Sequence, residues 1–337
     1  MRTIGTLTLG FGLAALGAHE AIGAAPIDQA RYARAHDLID VGQGRRLNLY
    51  CAGSGAPTVV FEAGGSLAGW DWLLVHPAIA AKTRACIYDR AGFGFSDPAT
   101  RPGTSANAVD DLHTLLHVAG VAPPYVLVGH SSGGAYVQHY AYTYPSEVAG
   151  LVLVDASHED EDEHLDRITK GKYSQLLAQL GASEQKCLAA SHAGLTPGST
   201  AFDECIGRPP EKFGAALGAA YLRQAMSSSY WDARVSEETN QATSNGQLRT
   251  ARKSLGALPL VYLTHGVSPY LAPGRRPSEM NKATERDTVL LHDSVARLSS
   301  RGVHRVVARA AHSIHVDRPD AVITAIGDVL DQVRVIK

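Results

Sequence analysis

Short apolar runs, many of them β-branched, recur along the chain and are separated by helical patterns and glycine-bearing turns. We identify eight such runs as strands, at residues 36–42, 45–53, 57–65, 84–90, 125–131, 150–156, 258–266 and 304–310. Continuously apolar runs are typical of strands that are buried on both faces of a parallel sheet. The first two runs follow each other directly and predict an antiparallel edge. The pattern therefore predicts an α/β fold, with a mostly parallel eight-stranded sheet flanked by helices.

The alternation of strands and helices stops between residues 157 and 256. This stretch contains no convincing strand and is rich in Ala, Leu, Gln, Tyr and Met. We therefore predict a helical cap over the carboxyl end of the sheet at 157–256, with the core formed by residues 26–156 and 257–337. Four large cap side chains are candidates for lining a substrate pocket, with packing in a helical core as the alternative for each: Tyr221, Met226, Tyr230 and Trp231.

Residues 1–25 have the layout of a secretory signal peptide. Arg2 precedes an uncharged apolar run over residues 4–18, and small residues follow before Pro26. This run falls below the roughly 20 residues that a membrane-spanning helix needs. We therefore expect a secreted or periplasmic protein with no stable membrane insertion once the signal is removed.

The composition narrows the choice of partners. Hydrophobic residues make up 45% of the 337 residues, which is enough for a large core. The chain contains 31 Lys and Arg and 33 Asp and Glu, which gives a net charge of -2. Because no excess of positive charge is present, a nucleic acid partner is not expected. We interpret the short acidic run at 158–164 as a solvated face at the cap entrance. No group has the spacing of metal ligands, so neither a metal nor a cofactor is expected.

The strongest chemical motif is GHSSG at residues 129–133, which follows a predicted strand and opens a helical pattern. In a G-x-S-x-G turn the serine sits in a strained conformation, and side chains at the flanking glycines would collide with neighbouring elements. The backbone N–H of Ser132 would point at an oxygen bound to the attacked carbon, near a positive helix N-terminus. We therefore predict Ser131 as a nucleophile and Ser132 as a donor of an oxyanion hole.

In this setting the mature chain resembles the α/β-hydrolase superfamily, in its serine esterase-like form with a helical cap. Two further segments carry the resemblance: IYDRAGFGFSDP at 87–98 and AHSIHVDRPDAVITAI at 311–326. The first is similar to a loop that follows the fourth strand in relatives, and the second to their final histidine loop and closing helix. The resemblance implies that the general base is His312, with His315 as the competing histidine.

The resemblance leaves more than one position for the acid that orients the base. Many relatives carry it just after the seventh strand, where this chain has no carboxylate until Glu279. Some relatives use the end of the sixth strand, where Asp155 stands. A buried aspartate at a strand end needs a partner, because an unpaired buried charge is costly. We predict Asp155 as the acid, with Glu159 and Asp160 as substitutes.

The resemblance also implies roles for two loops. The second oxyanion donor would come from the loop after the third strand, where Gly65 follows Ala63 and Gly64 in place of the usual His-Gly. This departure keeps the backbone N–H that the chemistry uses. Asp89 and Arg90, at the end of the fourth strand, are expected to hold loops together rather than to act on substrate.

The four cysteines of an exported chain are candidates for disulfides. In the fold that the resemblance implies, the second strand runs antiparallel beside the fourth, which brings Cys51 next to Cys86. The remaining pair, Cys187 and Cys205, would then close a loop inside the cap. Four free thiols are the alternative.

These observations predict a serine hydrolase that cleaves small-molecule carboxylic esters through an acyl-enzyme intermediate. An aminopeptidase or amidase similar to proline iminopeptidases is the alternative, since acidic cap residues at 159–163 offer partners for a free amine. A noncatalytic binding protein on a hydrolase scaffold is a more remote possibility. Dehalogenase and epoxide hydrolase chemistry is disfavoured, because relatives with those activities carry Asp where this chain has Ser131.

Overall fold

The computed structural model describes residues 27–269, 271 and 275–335. The predicted signal peptide at 1–25 lies outside the described residues. Within them, eight strands form one sheet. The strands are β1 (Asp37–Asp40), β2 (Arg46–Ala52), β3 (Thr58–Glu62), β4 (Ala85–Tyr88), β5 (Tyr125–His130), β6 (Val148–Val154), β7 (Leu260–His265) and β8 (Gly302–Val307). Each of them overlaps one of the predicted runs.

The order of the strands is β1-β2-β4-β3-β5-β6-β7-β8. Strand β2 runs antiparallel to β1 and to β4, and all other neighbours are parallel. The predicted sheet and its antiparallel edge are therefore confirmed. Every residue of β3, β4, β5 and β7 is buried, which is the reason that these runs are apolar without alternation.

Helices cover both faces of the sheet and fill the stretch between β6 and β7. They are α1 (His76–Ala80), α2 (Ser105–Val118), α3 (Ser132–Thr143), α4 (Glu161–Thr169), α5 (Lys172–Ala193), α6 (Thr200–Cys205), α7 (Ala215–Ala225), α8 (Ser228–Thr239), α9 (Gln241–Ala251), α10 (Glu279–Ala296), α11 (Ile314–Asp317) and α12 (Pro319–Val335).

The core consists of two layers that the central strands separate. On one face of β5, Val126 and Val128 join a hydrophobic cluster with Ile326 of α12. On the other face, Leu127 joins a cluster with Leu115 of α2. Burial of each such aliphatic side chain stabilises the fold by roughly 1.5–3 kcal/mol. The central strand is thus fixed from both sides, and its carboxyl end is a rigid base for a reactive group.

The predicted cap region is helical. Residues 155–259, all of them described, contain helices α4–α9 and no strand. Leu217 of α7 and Ala233 of α8 belong to the same hydrophobic cluster as Phe61 of β3, so the cap and the sheet share part of one core. The boundaries at 157 and 256 stay a prediction.

The structure contains both predicted disulfides. The register of β2 and β4 places Cys51 opposite Cys86, with Cα atoms 4.0 Å apart, and the two sulfurs are bonded. Cys187 of α5 is bonded to Cys205 of α6, 18 residues later. In the chain-entropy description, a loop of this size stabilises the folded state by about 3 kcal/mol.

Two disulfides are compatible with an extracellular location. Among the described helices, none has the length and apolar character that crossing a membrane requires.

Candidate active site

Ser131 lies at the turn between the last residue of β5 and the first residue of α3. Its backbone has φ 53° and ψ −128°, a conformation that a residue with a side chain rarely adopts. Hydrogen bonds hold the turn from both sides. The N–H of Ser131 donates to the carbonyl of Val154 (3.2 Å), and its carbonyl accepts from the N–H groups of Gly134 (2.9 Å) and Ser157 (3.0 Å). The strained serine is therefore anchored to the end of β6 and to the cap entrance.

Close packing around this turn explains its glycines. A Cβ at Gly129 would lie 2.5 Å from the carbonyl oxygen of Gly133, and a Cβ at Gly133 would lie 2.3 Å from that of Ala63. A Cβ at Gly134 would lie 2.2 Å from the Cβ of Ala156. A larger residue at any of these positions would push the serine turn away from its neighbours.

The predicted acid and base are in contact. The Nδ1 of His312, on the loop after β8, lies 2.7 Å from Oδ2 of Asp155, directly after β6. Because Nδ1 donates to this carboxylate, Nε2 of His312 is left as the proton acceptor. The base is 42% exposed and the acid only 3%, so a substrate can reach the first and water barely reaches the second.

Burial alone would raise the pKa of Asp155. Hydrogen bonds from His265 and His312 outweigh burial and hold this pKa well below its usual range. Asp155 is therefore a carboxylate at neutral pH and can stabilise a positive charge that forms on His312.

The competing candidates have other partners. Glu159 lies 2.6 Å from an Nη atom of Arg252, and Asp160 accepts from Nε of Arg249 at 2.9 Å. His315, the alternative base, is buried with its Nε2 2.6 Å from Oδ2 of Asp71. Of the two histidines, it is His312 that contacts Asp155.

His265, the last residue of β7, is a neighbour of Asp155 that the sequence did not reveal. Its Nδ1 lies 2.9 Å and 2.8 Å from the two oxygens of Asp155, and its Nε2 lies 2.9 Å from Oε2 of Glu285 on α10. This is the strand end where many relatives were expected to carry the acid. The available signal was the position of His265 at the end of a buried strand, but nothing local indicated a carboxylate on each side.

Gly65 and Ser132, whose backbone N–H groups were predicted to form the oxyanion hole, lie close together. A Cβ at Gly65 would lie 2.7 Å from Oγ of Ser132, so this glycine permits a close approach of the loop after β3 to the start of α3. Arg90 supports this loop through hydrogen bonds to the carbonyls of Ala63 (2.7 Å) and Gly64 (2.8 Å). This contact fits the structural role expected for Arg90.

The cap also reaches this loop. Glu237 of α8 accepts from the N–H of Ser66 (3.0 Å) and from Nε of Arg90 (2.8 Å). Asp89, the neighbour of Arg90, accepts from the N–H groups of Gly69 (2.7 Å) and Phe95 (3.0 Å) and so joins two further loops.

The predicted pocket residues take part in cap packing. Tyr230 and Trp231 are buried, and the ring of Tyr230 lies 5.8 Å from that of Phe93. The indole N–H of Trp231 donates to a backbone carbonyl of the cap at 2.9 Å. Tyr221 and Met226 are partly buried and pack against the hydrophobic cluster that contains Tyr230 and Trp231. These contacts are of the core-packing kind that was the alternative interpretation, and a pocket role for the four residues stays a prediction.

The acidic run at 158–164 is not a single solvated face, which corrects the expectation from the sequence. His158 and Glu159 are both buried, at 4% exposure each. The charge of the buried glutamate is neutralised by Arg252, 2.6 Å away. Burial and the charge of Asp155 raise the pKa of Glu161 to about 7. This run therefore turns part of its charge inward, toward Asp155.

Three groups of described side chains bring potential metal donors within 4.8 Å of one another: Asp71, His130 and His315; His113, His117 and Glu147; and His158, Glu159 and Asp160. Protein groups already engage donors of each set, as in the His315–Asp71 contact (2.6 Å) and the His117–Glu147 contact (2.9 Å). His130 Nε2 lies 3.1 Å from the carbonyl of His312, and its pKa is lowered well below the usual value by burial. The neutral ring of His130 thus supports the loop of the base.

The chain matches the alpha/beta hydrolase fold family over residues 57–257, which is more than half of its 337 residues. It is 24% identical to the YqjL protein of Bacillus subtilis (strain 168), over 82% of this chain and 85% of the relative. A (lyso)-N-acylphosphatidylethanolamine lipase of Mus musculus is 33% identical over 25% of each chain. Other curated relatives are covered over a small part: the chain spans 18% of the length of the efuK protein of Hormonema carpetanum, at 33% identity over 36% of this chain.

Solved structures share the fold. The wild-type DBJA crystal structure superposes with a TM-score of 0.62 at 16% identity, over 90% of this chain and 99% of that chain. A candidate epoxide hydrolase from Pseudomonas aeruginosa gives 0.61 at 20% identity, over 87% and 94%. At these identities the likeness concerns the fold alone. The sequence match, the sheet order and these superpositions agree, and the chain belongs to the alpha/beta hydrolase fold family.

Proposed function

We propose that this protein is a serine hydrolase that cleaves carboxylic esters with Ser131 as nucleophile, His312 as base and Asp155 as orienting acid. The observation that carries the proposal is the 2.7 Å contact between His312 Nδ1 and Asp155, with the strained Ser131 anchored to the end of β6. A protein of Mus musculus that is named as a lipase matches 25% of the chain, which supports the ester class.

The reaction begins when Nε2 of His312 takes the hydroxyl proton of Ser131 and Oγ bonds to the carbonyl carbon. The carbonyl oxygen becomes an oxyanion and accepts from the N–H groups of Gly65 and Ser132. The carbon–oxygen bond to the alcohol then breaks, and His312 returns the proton to the departing alkoxide. Water, deprotonated by the same histidine, attacks the acyl-enzyme and releases the acid and free Ser131.

The identity of the nucleophile separates this proposal from the chemistry suggested by some structural neighbours. Haloalkane dehalogenases and epoxide hydrolases of this fold were expected to carry Asp at the position of Ser131. A serine forms an acyl-enzyme with a carbonyl substrate, which the two oxyanion donors would stabilise.

An amidase or aminopeptidase is the second candidate, and Glu161 supports it. This carboxylate lies at the start of α4, where its pKa is raised to about 7 by burial and by the charge of Asp155. An ammonium group on the substrate would relieve that repulsion and keep Glu161 ionised. A substrate with a free amine next to the scissile bond would therefore be preferred over a neutral ester of the same size.

Hydrolysis of p-nitrophenyl esters from acetate to decanoate, beside proline and alanine p-nitroanilides, tests both candidates. We expect ester turnover in the wild type and a loss of roughly 10⁶-fold in Ser131→Ala. Ser300→Ala, which removes an exposed hydroxyl bonded to the carbonyl of Gly256, is the matched control and should keep the wild-type rate.

Faster turnover of the anilides than of the esters would favour the peptidase. If neither the esters nor the anilides are turned over and Ser131 does not react with a fluorophosphonate, a noncatalytic binding protein would be the better description.

A further inference from the structure

Four ionisable groups form one continuous line at the carboxyl ends of β6 and β7. Glu285 Oε2 lies 2.9 Å from His265 Nε2, and His265 Nδ1 lies 2.8 Å from Asp155 Oδ2. Asp155 Oδ2 in turn lies 2.7 Å from His312 Nδ1. The line thus connects Glu285, in the first half of α10, to His312, the proposed base. The two side chains between them, His265 and Asp155, are each 3% exposed.

Both ring nitrogens of His265 face a carboxylate, which fixes its protonation. A neutral imidazole has one N–H and could donate to only one of them. Burial would lower the pKa of His265, but the hydrogen bonds that its ring donates to Asp155 and Glu285 outweigh burial and raise this pKa to about 10. At neutral pH the line therefore reads as a negative Glu285, a positive His265 and a negative Asp155, followed by the base.

His265 also controls the orientation of Asp155. Its backbone N–H donates to Oδ1 of Asp155 at 3.0 Å, in addition to the ring contact with the same oxygen at 2.9 Å. Among the described residues, both groups that hydrogen-bond to Oδ1 belong to His265. Asp155 itself has a φ of 44°, so its backbone alone does not favour this placement. The carboxylate is thus held on one side by His265 and turned toward His312 on the other.

We propose, building on the proposed triad, that His265 and Glu285 are positioning residues that hold Asp155 in its acceptor orientation and whose opposite charges set the proton affinity of His312. Removing the positive charge of His265 makes a protonated His312 more favourable. Removing the negative charge of Glu285 makes it less favourable, because His265 stays charged against Asp155. The two variants therefore shift the base in opposite directions, which a loss of packing would not do.

Other charged or titratable groups face this line and must be held constant. They are His130 at the end of β5, Glu161 on α4, His292 on α10, His304 on β8, and the more distant His158. The pKa of His292 is lowered to about 3 by burial, so it is neutral over the working range. Glu161 has a pKa of about 7 and therefore titrates within the pH range of the test, so comparisons are made in a Glu161→Gln background as well as in the wild type.

The test is the pH dependence of kcat/KM for His265→Gln and Glu285→Gln, with p-nitrophenyl acetate as substrate. The acid limb reports the base of the free enzyme. We expect it to move up by roughly 1 pH unit in His265→Gln and down by roughly half a unit in Glu285→Gln. At the optimum, kcat should fall about tenfold in His265→Gln while KM changes less than twofold.

His292→Gln is the matched control, since it replaces a buried histidine of the same region that bonds to Oγ1 of Thr264 (2.7 Å) rather than to Asp155. It should lower stability and leave the acid limb in place. Equal or absent shifts in the two test variants would overturn the proposal. If His265→Gln does not fold, Glu285→Gln still tests the proposal, because the Glu285 side chain is 29% exposed and its replacement should be tolerated. A downward shift of the acid limb in this variant would support the proposal, and an upward or absent shift would overturn it.

A titration of His312 by NMR in the same variants separates this proposal from the esterase proposal. The opposite shifts of the His312 resonance are expected whether or not any ester is turned over. Opposite shifts without turnover would support the positioning pair and contradict the esterase, whereas turnover without opposite shifts would do the reverse.

Discussion

Two buried charge clusters flank Ser131, and they differ in where they end. On the β6–β7 side, Glu285, His265 and Asp155 lead to His312, an imidazole that is 42% exposed. On the β3–β4 side, Glu62, Arg90 and Glu237 lead to backbone groups of the loop after β3. The first cluster ends on an imidazole, which can gain or lose a proton at neutral pH, and the second ends on backbone amide groups, which cannot.

In the second cluster, Arg90 pairs with two carboxylates at once. Arg90 lies 2.6 Å from Glu62 and 2.8 Å from Glu237, and Tyr88 donates to Glu62 as well. Burial raises the pKa of Glu62, and Arg90 counters that effect. Under the proposed function, the first network acts on the reaction through its exposed imidazole, and the second, which has no exposed titratable member, fixes the geometry of the loop after β3. Variants on the two sides should therefore separate an effect on rate from an effect on stability.

The largest expected effect is on the β6–β7 side. Asp155→Asn should lower kcat by roughly 10⁴-fold, because an amide cannot stabilise the imidazolium and favours the wrong tautomer of His312. The measurement is kcat with a p-nitrophenyl ester. Glu159→Gln, which alters a carboxylate paired with Arg252, is the control and should stay within tenfold of the wild type. Wild-type rates in Asp155→Asn would show that another group orients the base.

The next effect is on stability and comes from the β3–β4 side. Arg90→Met removes the guanidinium partner of the buried Glu62 and of the partly buried Glu237, and should lower the free energy of unfolding by about 3–5 kcal/mol. Urea unfolding of the purified variant measures this change. A loss below 1 kcal/mol would mean that Glu62 and Glu237 do not depend on Arg90.

The β6–β7 cluster should also give stability a pH dependence. The pKa of His265 rises from 6.5 to about 10 on folding, so its contribution is complete below pH 6.5 and is lost as the pH rises toward 10. The free energy of unfolding, measured by urea denaturation, should fall between pH 6.5 and 10 by an amount on the order of 4 kcal/mol. This loss of stability with rising pH should be smaller in His265→Gln. If the free energy of unfolding of that variant depends on pH as in the wild type, other groups cause the loss.

The smallest effect separates charge from hydrogen bonding on the β3–β4 side. Glu237→Gln keeps an acceptor for the N–H of Ser66 but loses the ion pair with Arg90. We expect a loss of about 1 kcal/mol in stability and a two- to tenfold fall in kcat, with no shift of the acid limb. A shift of the acid limb would show that the two clusters communicate through the base.

The sequence predicted the sheet because burial on both faces leaves a local trace. Runs such as the one at 125–131 are apolar without alternation, and their order along the chain defined the antiparallel edge. The pairing of Cys51 with Cys86 followed from the sheet order that the family resemblance implied. Ser131 was also indicated locally, since the glycines of its turn are adjacent to it.

The supporting residues left no such trace. His265 lies 110 positions from Asp155, and Glu237 lies 147 positions from Arg90. Each contact depends on how α10 or α8 packs, which the local pattern does not specify. The acidic run at 158–164 was misinterpreted for the same reason, because Arg252, which draws Glu159 inward, is 93 positions away.

Ser131 can be tested as the nucleophile by covalent labelling of the folded protein with a fluorophosphonate, followed by peptide mass spectrometry. We predict a single adduct on Ser131, which is absent from Ser131→Ala and forms much more slowly in Asp155→Asn. A folded wild-type protein that forms no adduct, or that carries the adduct on another serine, would contradict the assignment of Ser131 as an activated nucleophile.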